Sequence, residues 1–139
     1  MLDVLLSSIS VPLDAAVVIT QHMPTGGFTA SLATRLNRIS SMPVKETENG
    51  EILKAGHIYI SKSGFHSIIT AFIADNKKTG GRIVHSRAAP VHNVRPAVDR
   101  TFQSATAVFC PRCLSVILSG MGNDGGEGMA AIKQQGGQT

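Results

Sequence analysis

Two residues in this chain have the types and settings to do chemistry together, His22 and Asp124. His22 sits in Thr20-Gln21-His22-Met23-Pro24, at the end of the apolar run Ala15 to Ile19. Asp124 sits in the glycine-rich stretch Ser119 to Gly126, directly after the apolar run Leu114 to Leu118. Continuous apolar runs of this length read as buried parallel strands covered on both faces. Polar residues delivered at the C-terminal ends of such strands are the usual material of an α/β active site. An imidazole with an ordinary pKa of about 6.5 keeps its base form populated at neutral pH. Its Nε2 could take a hydroxyl proton, while the Asp124 carboxylate receives the Nδ1 proton and fixes the tautomer. Each residue also has a plainer reading. His22 could be a histidine hydrogen-bonded at a strand end, and Asp124 an Asx-turn residue.

The same glycine-rich loop invites a competing reading. Gly120-Met121-Gly122-Asn123-Asp124-Gly125 fits G-x-G-x-x-G and follows a predicted strand, as a dinucleotide fingerprint should. Against it, Asp124 would aim negative charge at a pyrophosphate, and no acidic ribose ligand follows about 20 residues on. Cys110 and Cys113 form a lone Cys-x-x-Cys, which is half a zinc site at most. As a redox pair it stands at the end of a predicted helix, whereas thiolates are stabilised at helix beginnings. Two ordinary reduced thiols is the reading that remains. His57, His66, His85 and His92 lack metal-ligand spacing and read as surface or hairpin residues. Arg95 could hold a substrate carboxylate or could be structural. Neither a metal nor a cofactor is expected.

The elements that must position these residues follow from the hydrophobic pattern. Of the 139 residues 42% are hydrophobic and 14 are glycine, enough apolar mass for one α/β domain or part of one. The net charge of +4 comes from scattered Lys and Arg, and only 4% of residues are aromatic. Nucleic-acid binding is therefore not expected, since it needs a basic stripe or stacking platform; an acidic protein partner suits the charge. No apolar run reaches the roughly 20 residues of a membrane span. The apolar start carries Asp3 and Asp14 and no Lys or Arg before Arg35, unlike a secretion signal. A cytoplasmic protein is expected.

Leu2, Val4, Leu5, Leu6 and Ile9 read as the tail of an amphipathic helix that Pro12 closes. A strand over 15–20 precedes a helix carrying Phe28, Leu32, Leu36 and Ile39 on one face. Extended segments follow at 44–48 and 52–60. A hairpin is expected between Tyr59-Ile60-Ser61 and His66 to Thr70, then a polar turn over 76–81 and a short strand over 82–85. Arg95-Pro96 opens a helix with Val98, Phe102, Ala105 and Phe109 on its apolar face. The strand 114–118 and a helix from about Glu127 to Gln135, capped by Gly136-Gly137, complete the chain. The order implies α/β architecture, a mainly parallel doubly wound sheet with a β-hairpin insertion, truncated at both ends.

Taken in order, several segments resemble the catalytic domain of the chemotaxis protein-glutamate methylesterases, the CheB-type family. They are Gln21-His22-Met23-Pro24 with Gly27-Phe28-Thr29 and Ala33 to Asn37, then Asn49-Gly50-Glu51 and Gly56 to Ile60, then Arg95-Pro96-Ala97-Val98-Asp99 with Phe102 to Ala105, and last Leu118 to Gly125. The resemblance implies that His22 is the base and Asp124 the residue that orients it. The nucleophile in such enzymes is a Ser in a Gly-x-Ser-Thr-Gly-Gly turn that attacks the methyl ester of a receptor glutamate. It further implies glutamine deamidation, an oxyanion hole with backbone near Met121, and no cofactor or metal. The implied partners are the methylated cytoplasmic region of chemoreceptors and a receiver domain, of which the chain contains none. Two departures stand out. Tyr59-Ile60-Ser61-Lys62 replaces the family's Tyr-Ile-Ala-Pro, and the nucleophile turn would fall just before Met1. Ser7, Ser8 and Ser10 follow no strand and have no glycines to form a nucleophile elbow. The chain as written is thus expected to hydrolyse weakly or not at all. The alternative is a non-catalytic receptor- or protein-binding module of the same fold, with a nucleotide-binding α/β domain further behind.

Overall fold

The computed structural model describes residues 1–119 and 122–139. Among the described residues nine elements run in the order α1 (Leu2–Ser8), β1 (Val17–Ile19), α2 (Phe28–Asn37), β2 (Val44–Glu46), β3 (Ile58–Ile60), β4 (His66–Ala74), β5 (Lys77–Ser86), α3 (Val98–Phe109) and α4 (Gly126–Gln134). Strands β1, β3 and β2 form a parallel sheet in that order, with Val17 and Val44 both in register with Ile58. The fold is α/β, as the alternation of apolar runs and helical patterns implies.

Burial explains why β1 and β3 read as unbroken apolar runs. On β1, Val17 and Ile19 pack into a cluster with Leu6, Leu32, Leu36 and Met42, which lies on the α1 and α2 side. Val18, pointing the opposite way, packs instead with Ile69, Ile83 and Val108 beneath α3. Successive side chains alternate faces, so a strand must be apolar throughout when both faces are covered. The central strand β3 is buried at Ile58, Tyr59 and Ile60. Helix α2 buries Thr29, Leu32, Ala33 and Leu36, spaced i, i+3, i+4, i+7, and leaves Phe28 exposed, as is Ile39 just past its end. Its inward face is thus turned slightly from the one the Phe and Ile positions suggest.

The hairpin is real but displaced. Tyr59 and Ile60 belong to the parallel β3, and the antiparallel pair is β4 with β5. Its turn is Asp75-Asn76, both with positive φ (51° and 57°), the twist that a two-residue hairpin connection prefers. The stretch expected as a polar turn, 76–81, is mostly strand. It reads as polar because Lys77, Lys78 and Thr79 face solvent.

The apolar run 114–118 is not a ladder strand. Its one pairing is a parallel bridge from Leu114 to Gln138, with Ser115 N–H donating to the Gln138 carbonyl and Gln138 N–H to that of Cys113. Ser115 is buried, whereas Leu114, Val116 and Ile117 are exposed. Hydrogen-bond partners, not composition, make a ladder, and among the described residues this run has none beyond that bridge. The expectation that 114–118 is a parallel strand delivering Asp124 is therefore corrected: β1 pairs with β3, and Asp124 is held by the start of α3 where His22 meets it.

Candidate functional site: a histidine and a buried carboxylate at the start of α3

The end of β1 is tied down by hydroxyls. Thr20 Oγ1 lies 3.1 Å from Ser61 Oγ at the end of β3 and 3.2 Å from Thr101 Oγ1 on α3. Thr101 in turn donates to the Ser67 carbonyl. Parallel strand, central strand, helix and hairpin thus converge two residues before His22, and the chain leaves that anchor into the His22 turn.

His22 Nε2 lies 2.7 Å from Asp124 Oδ2. The pair is lopsided in exposure, with 37% of the histidine side chain accessible and 4% of the carboxylate. The expectation that Nδ1 would meet the carboxylate is reversed. Nε2–H donates to Asp124, which leaves Nδ1 as the acceptor available to a hydroxyl. Among the described residues no serine hydroxyl is hydrogen-bonded to this ring. Ser7 and Ser8 donate to the Val4 and Leu5 carbonyls within α1.

Asp124 is held from the other side by a helix. Val98 N–H donates to Oδ2 at 2.6 Å and Asp99 N–H to Oδ1 at 2.9 Å. Helix α3 has Ala97 at its N-cap position and no local side-chain cap. Asp124 therefore caps α3 from 26 residues away, satisfying two of the orphan donors of its first turn. The positive end of the helix dipole faces the carboxylate. The Asx-turn reading is thereby replaced by a long-range cap.

The cap is reciprocal. Asp99, 1% exposed, accepts the Gly128 N–H of α4 through Oδ1 at 2.7 Å, while His92 Nε2 stands 3.1 Å from its Oδ2. Each helix start is closed by a carboxylate from the other's neighbourhood. This geometry also bears on the dinucleotide reading. A pyrophosphate would need the first-turn N–H groups of α4, and Asp99 already takes that of Gly128. Gly125, at φ 103°, makes the approach possible, since a Cβ there would meet Val98 Cγ1 and Ile117 Cδ1 at 2.9 Å.

Sequence reasoning passed over Asp99, His92 and His66. Asp99 stood in the motif Arg95 to Asp99 yet looked like an ordinary first-turn acid. His92 is held with φ 51° in the turn between Val91 and Val94. His66, fully buried, accepts the Ala97 N–H at Nδ1 and donates from Nε2 to the Ala89 carbonyl. His66 does open the hairpin strand β4 and His92 is exposed, as expected, and each also braces the start of α3. A buried histidine after a Ser-Gly turn was the only available signal. His92, Asp99 and Asp124 bring ligand atoms within 4.8 Å of one another. All four carboxylate oxygens there already accept bonds from backbone or histidine, so the cluster reads as bracing. Met121 lies outside the described residues.

Arg95 lines the walls of two adjoining clefts. The smaller, about 330 Å³, holds His22, Met23 and Pro24 against Asn93, Val94 and Pro96. Arg95 Nη1 donates to the carbonyls of Arg87 and Ala88 at 3.0 and 3.1 Å, so part of its role is structural.

The cysteines behave as plain thiols. Burial, then the neighbouring Cys110, pushes the Cys113 thiol up to about 11. At pH 8 its thiolate fraction is about one in a thousand, so iodoacetamide should alkylate Cys113 on the order of a hundredfold more slowly than a free cysteine of pKa about 8.5. Peptide mapping after timed alkylation checks this; labelling at the free-cysteine rate would restore the redox reading.

Comparison with known proteins decides the family. A family model described as CheB methylesterase matches residues 1–139. The chain belongs to the CheB methylesterase family. It is 55% identical, over its whole length, to a protein-glutamate methylesterase/protein-glutamine glutaminase of Methanospirillum hungatei, spanning 41% of that relative. The corresponding CheB relative of Thermotoga maritima is 38% identical over 98% of the chain and 38% of its own length. The crystal structure of the Thermotoga maritima CheB methylesterase catalytic domain superposes with a TM-score of 0.89 at 37% identity, covering 98% of this chain and 69% of that one. The chain thus spans less than half the length of these curated CheB relatives. No helix among the described residues is long and apolar enough to cross a membrane.

Proposed function

We propose that His22 and Asp124 are the base and orienting acid of a serine-type carboxylic ester hydrolase acting on glutamate methyl esters, and on glutamine amides, of chemoreceptors. The observation that carries this is the 2.7 Å contact between a half-exposed imidazole and a buried carboxylate whose both oxygens are held by backbone N–H. A carboxylate fixed in this way orients one ring edge and leaves the other to work. The hydroxyl of the Gly-x-Ser-Thr-Gly-Gly turn gives its proton to His22 Nδ1 as its oxygen attacks the ester carbonyl. The imidazolium then faces Asp124, and its proton passes to the departing methoxide to release methanol. Water, deprotonated by the same nitrogen, next attacks the acyl-enzyme, and the serine oxygen leaves as the proton returns to it. Met121 backbone N–H is the proposed oxyanion donor, a role worth about 10²–10³ in rate at comparable sites. No cofactor or metal enters these steps.

The substrate is the acidic cytoplasmic helical region of the receptor, which places the reaction in the cytoplasm, and a receiver domain is the proposed regulator in the longer protein. The test is methanol release from methylated receptor by the full-length protein and its His22→Ala variant. Removing the base should lower turnover by roughly 10⁴ to 10⁶-fold while the fold persists. Unchanged release by the variant would refute the assignment.

A further inference from the structure

The larger of the two clefts, about 560 Å³, opens beside the one that contains His22, with Arg95 in the wall of both. Its lining includes three cations, Lys62, Arg87 and Arg95, against one carboxylate, Glu46. That carboxylate is largely occupied. Thr29 donates its hydroxyl to Oε1 at 2.5 Å, and Lys62 Nζ reaches Oε2 only at 3.9 Å. Among the described residues the cations have no other ion-pair partner. Arg87 is exposed, lies 4.9 Å over the Phe65 ring, and forms no ion pair among the described residues. The Arg95 Nε is buried without a hydrogen-bond partner. Arg95 is already oriented by the carbonyls of Arg87 and Ala88, and Phe65 is stacked on His85 at 5.2 Å. The basic wall is therefore supported from behind. The start of α2, at Gly26 and Gly27, also lines the cleft without a side-chain cap and adds the positive end of its dipole.

We propose that this cleft is a specificity subsite for acidic side chains, taking a carboxylate that flanks the reacting glutamate on a helical peptide. The inference rests on the ester-hydrolase reading of His22 and deepens it. On a helix, residues i and i+3 or i+4 lie on one face, about 5–6 Å apart. An ester seated at His22 would then present an acid one turn away to the adjoining cleft. Lys62 and Arg87 meet that carboxylate at the rim, while Arg95 spans both clefts and sets their register. Rim cations of this kind act mainly through complementarity and association rate, and salt screens them.

The experiment uses two synthetic helical peptides, each with one glutamate γ-methyl ester. One carries Glu three and four residues to either side, and its twin carries Gln there. Fluorescence anisotropy with this chain should show the acidic peptide binding about tenfold tighter than its twin at low salt, a preference shrinking as KCl rises. Lys62→Glu with Arg87→Glu should abolish the preference, and Lys62→Gln with Arg87→Gln should reduce it, with circular dichroism unchanged. An absence of discrimination, including no binding of either peptide, or discrimination that survives charge reversal, overturns the subsite. The hydrolase reading is scored separately by methanol release from the same peptides with the full-length protein. Release without charge discrimination leaves the hydrolase standing and removes the subsite. Discrimination without release does the reverse.

Discussion

Asp124→Ala should destabilise the chain by about 2–4 kcal/mol, a large share of the stability of a small domain. The physical reason lies at the start of α3. Removing the carboxylate leaves the Val98 and Asp99 N–H groups, held at 2.6 and 2.9 Å in the wild type, without their acceptor. A lost N-cap alone costs about 1 kcal/mol at an exposed helix, and each buried orphan donor costs about 1–3 kcal/mol. Asp124→Asn keeps one acceptor oxygen but turns an amide N–H₂ toward the second donor, so it should fall between alanine and wild type. Urea denaturation of the three proteins, with amide NMR shifts of Val98 and Asp99, measures both the energy and its place. An alanine variant within 0.5 kcal/mol of wild type, a value typical of neutral surface changes at about ±0.5 kcal/mol, would show that the cap carries no weight. In the full-length protein the same substitutions should lower methanol release by about 10⁴-fold, because the ring loses its orienting partner.

Gly128→Ala should destabilise the chain by about 1–3 kcal/mol, and Gly128→Leu by more. On helix propensity alone the alanine change would stabilise by about 1 kcal/mol, so the sign itself is diagnostic. A Cβ at Gly128 would stand 2.5 Å from Phe102 Cβ and 3.2 Å from the Asp99 carbonyl oxygen. Both obstacles belong to α3, and one is backbone, so the two helices must separate. Separation lengthens the 2.7 Å bond from Gly128 N–H to Asp99, and with it the brace on His92. Gly126→Ala is the internal control. It has open space around its Cβ position, so it should be neutral or mildly stabilising. Equal effects at 126 and 128 in thermal denaturation would remove the packing argument.

The sequence made the alternation of layers legible because β1 and β3 are packed on both faces, β1 half-buried and β3 buried, and thus apolar at every position. His22 and Asp124 were legible for a similar local reason, each standing just beyond an apolar run. Their partner elements were not. Nothing in the residues around Asp124 announces that its oxygens close a helix beginning 26 positions earlier. Nor do those residues announce which imidazole nitrogen meets the carboxylate. Asp99 was hidden because a first-turn acid looks the same whether it faces water or the start of another helix. The run 114–118 misled in the opposite direction, since strand composition without a neighbouring edge makes no ladder. The hairpin moved because two-residue turns depend on φ at Asp75 and Asn76, while the polar residues beyond them merely face solvent.

The asymmetry between His22 and Asp124 has a bearing on inheritance. The histidine contributes a half-exposed ring and no hydrogen bond that secures a helix; the carboxylate anchors two backbone N–H groups. A lineage that abandoned the chemistry proposed for this pair could lose the ring at little structural expense while still retaining the acid. An intact aspartate at this position is therefore poor testimony that a relative still works, and an intact histidine is the better witness.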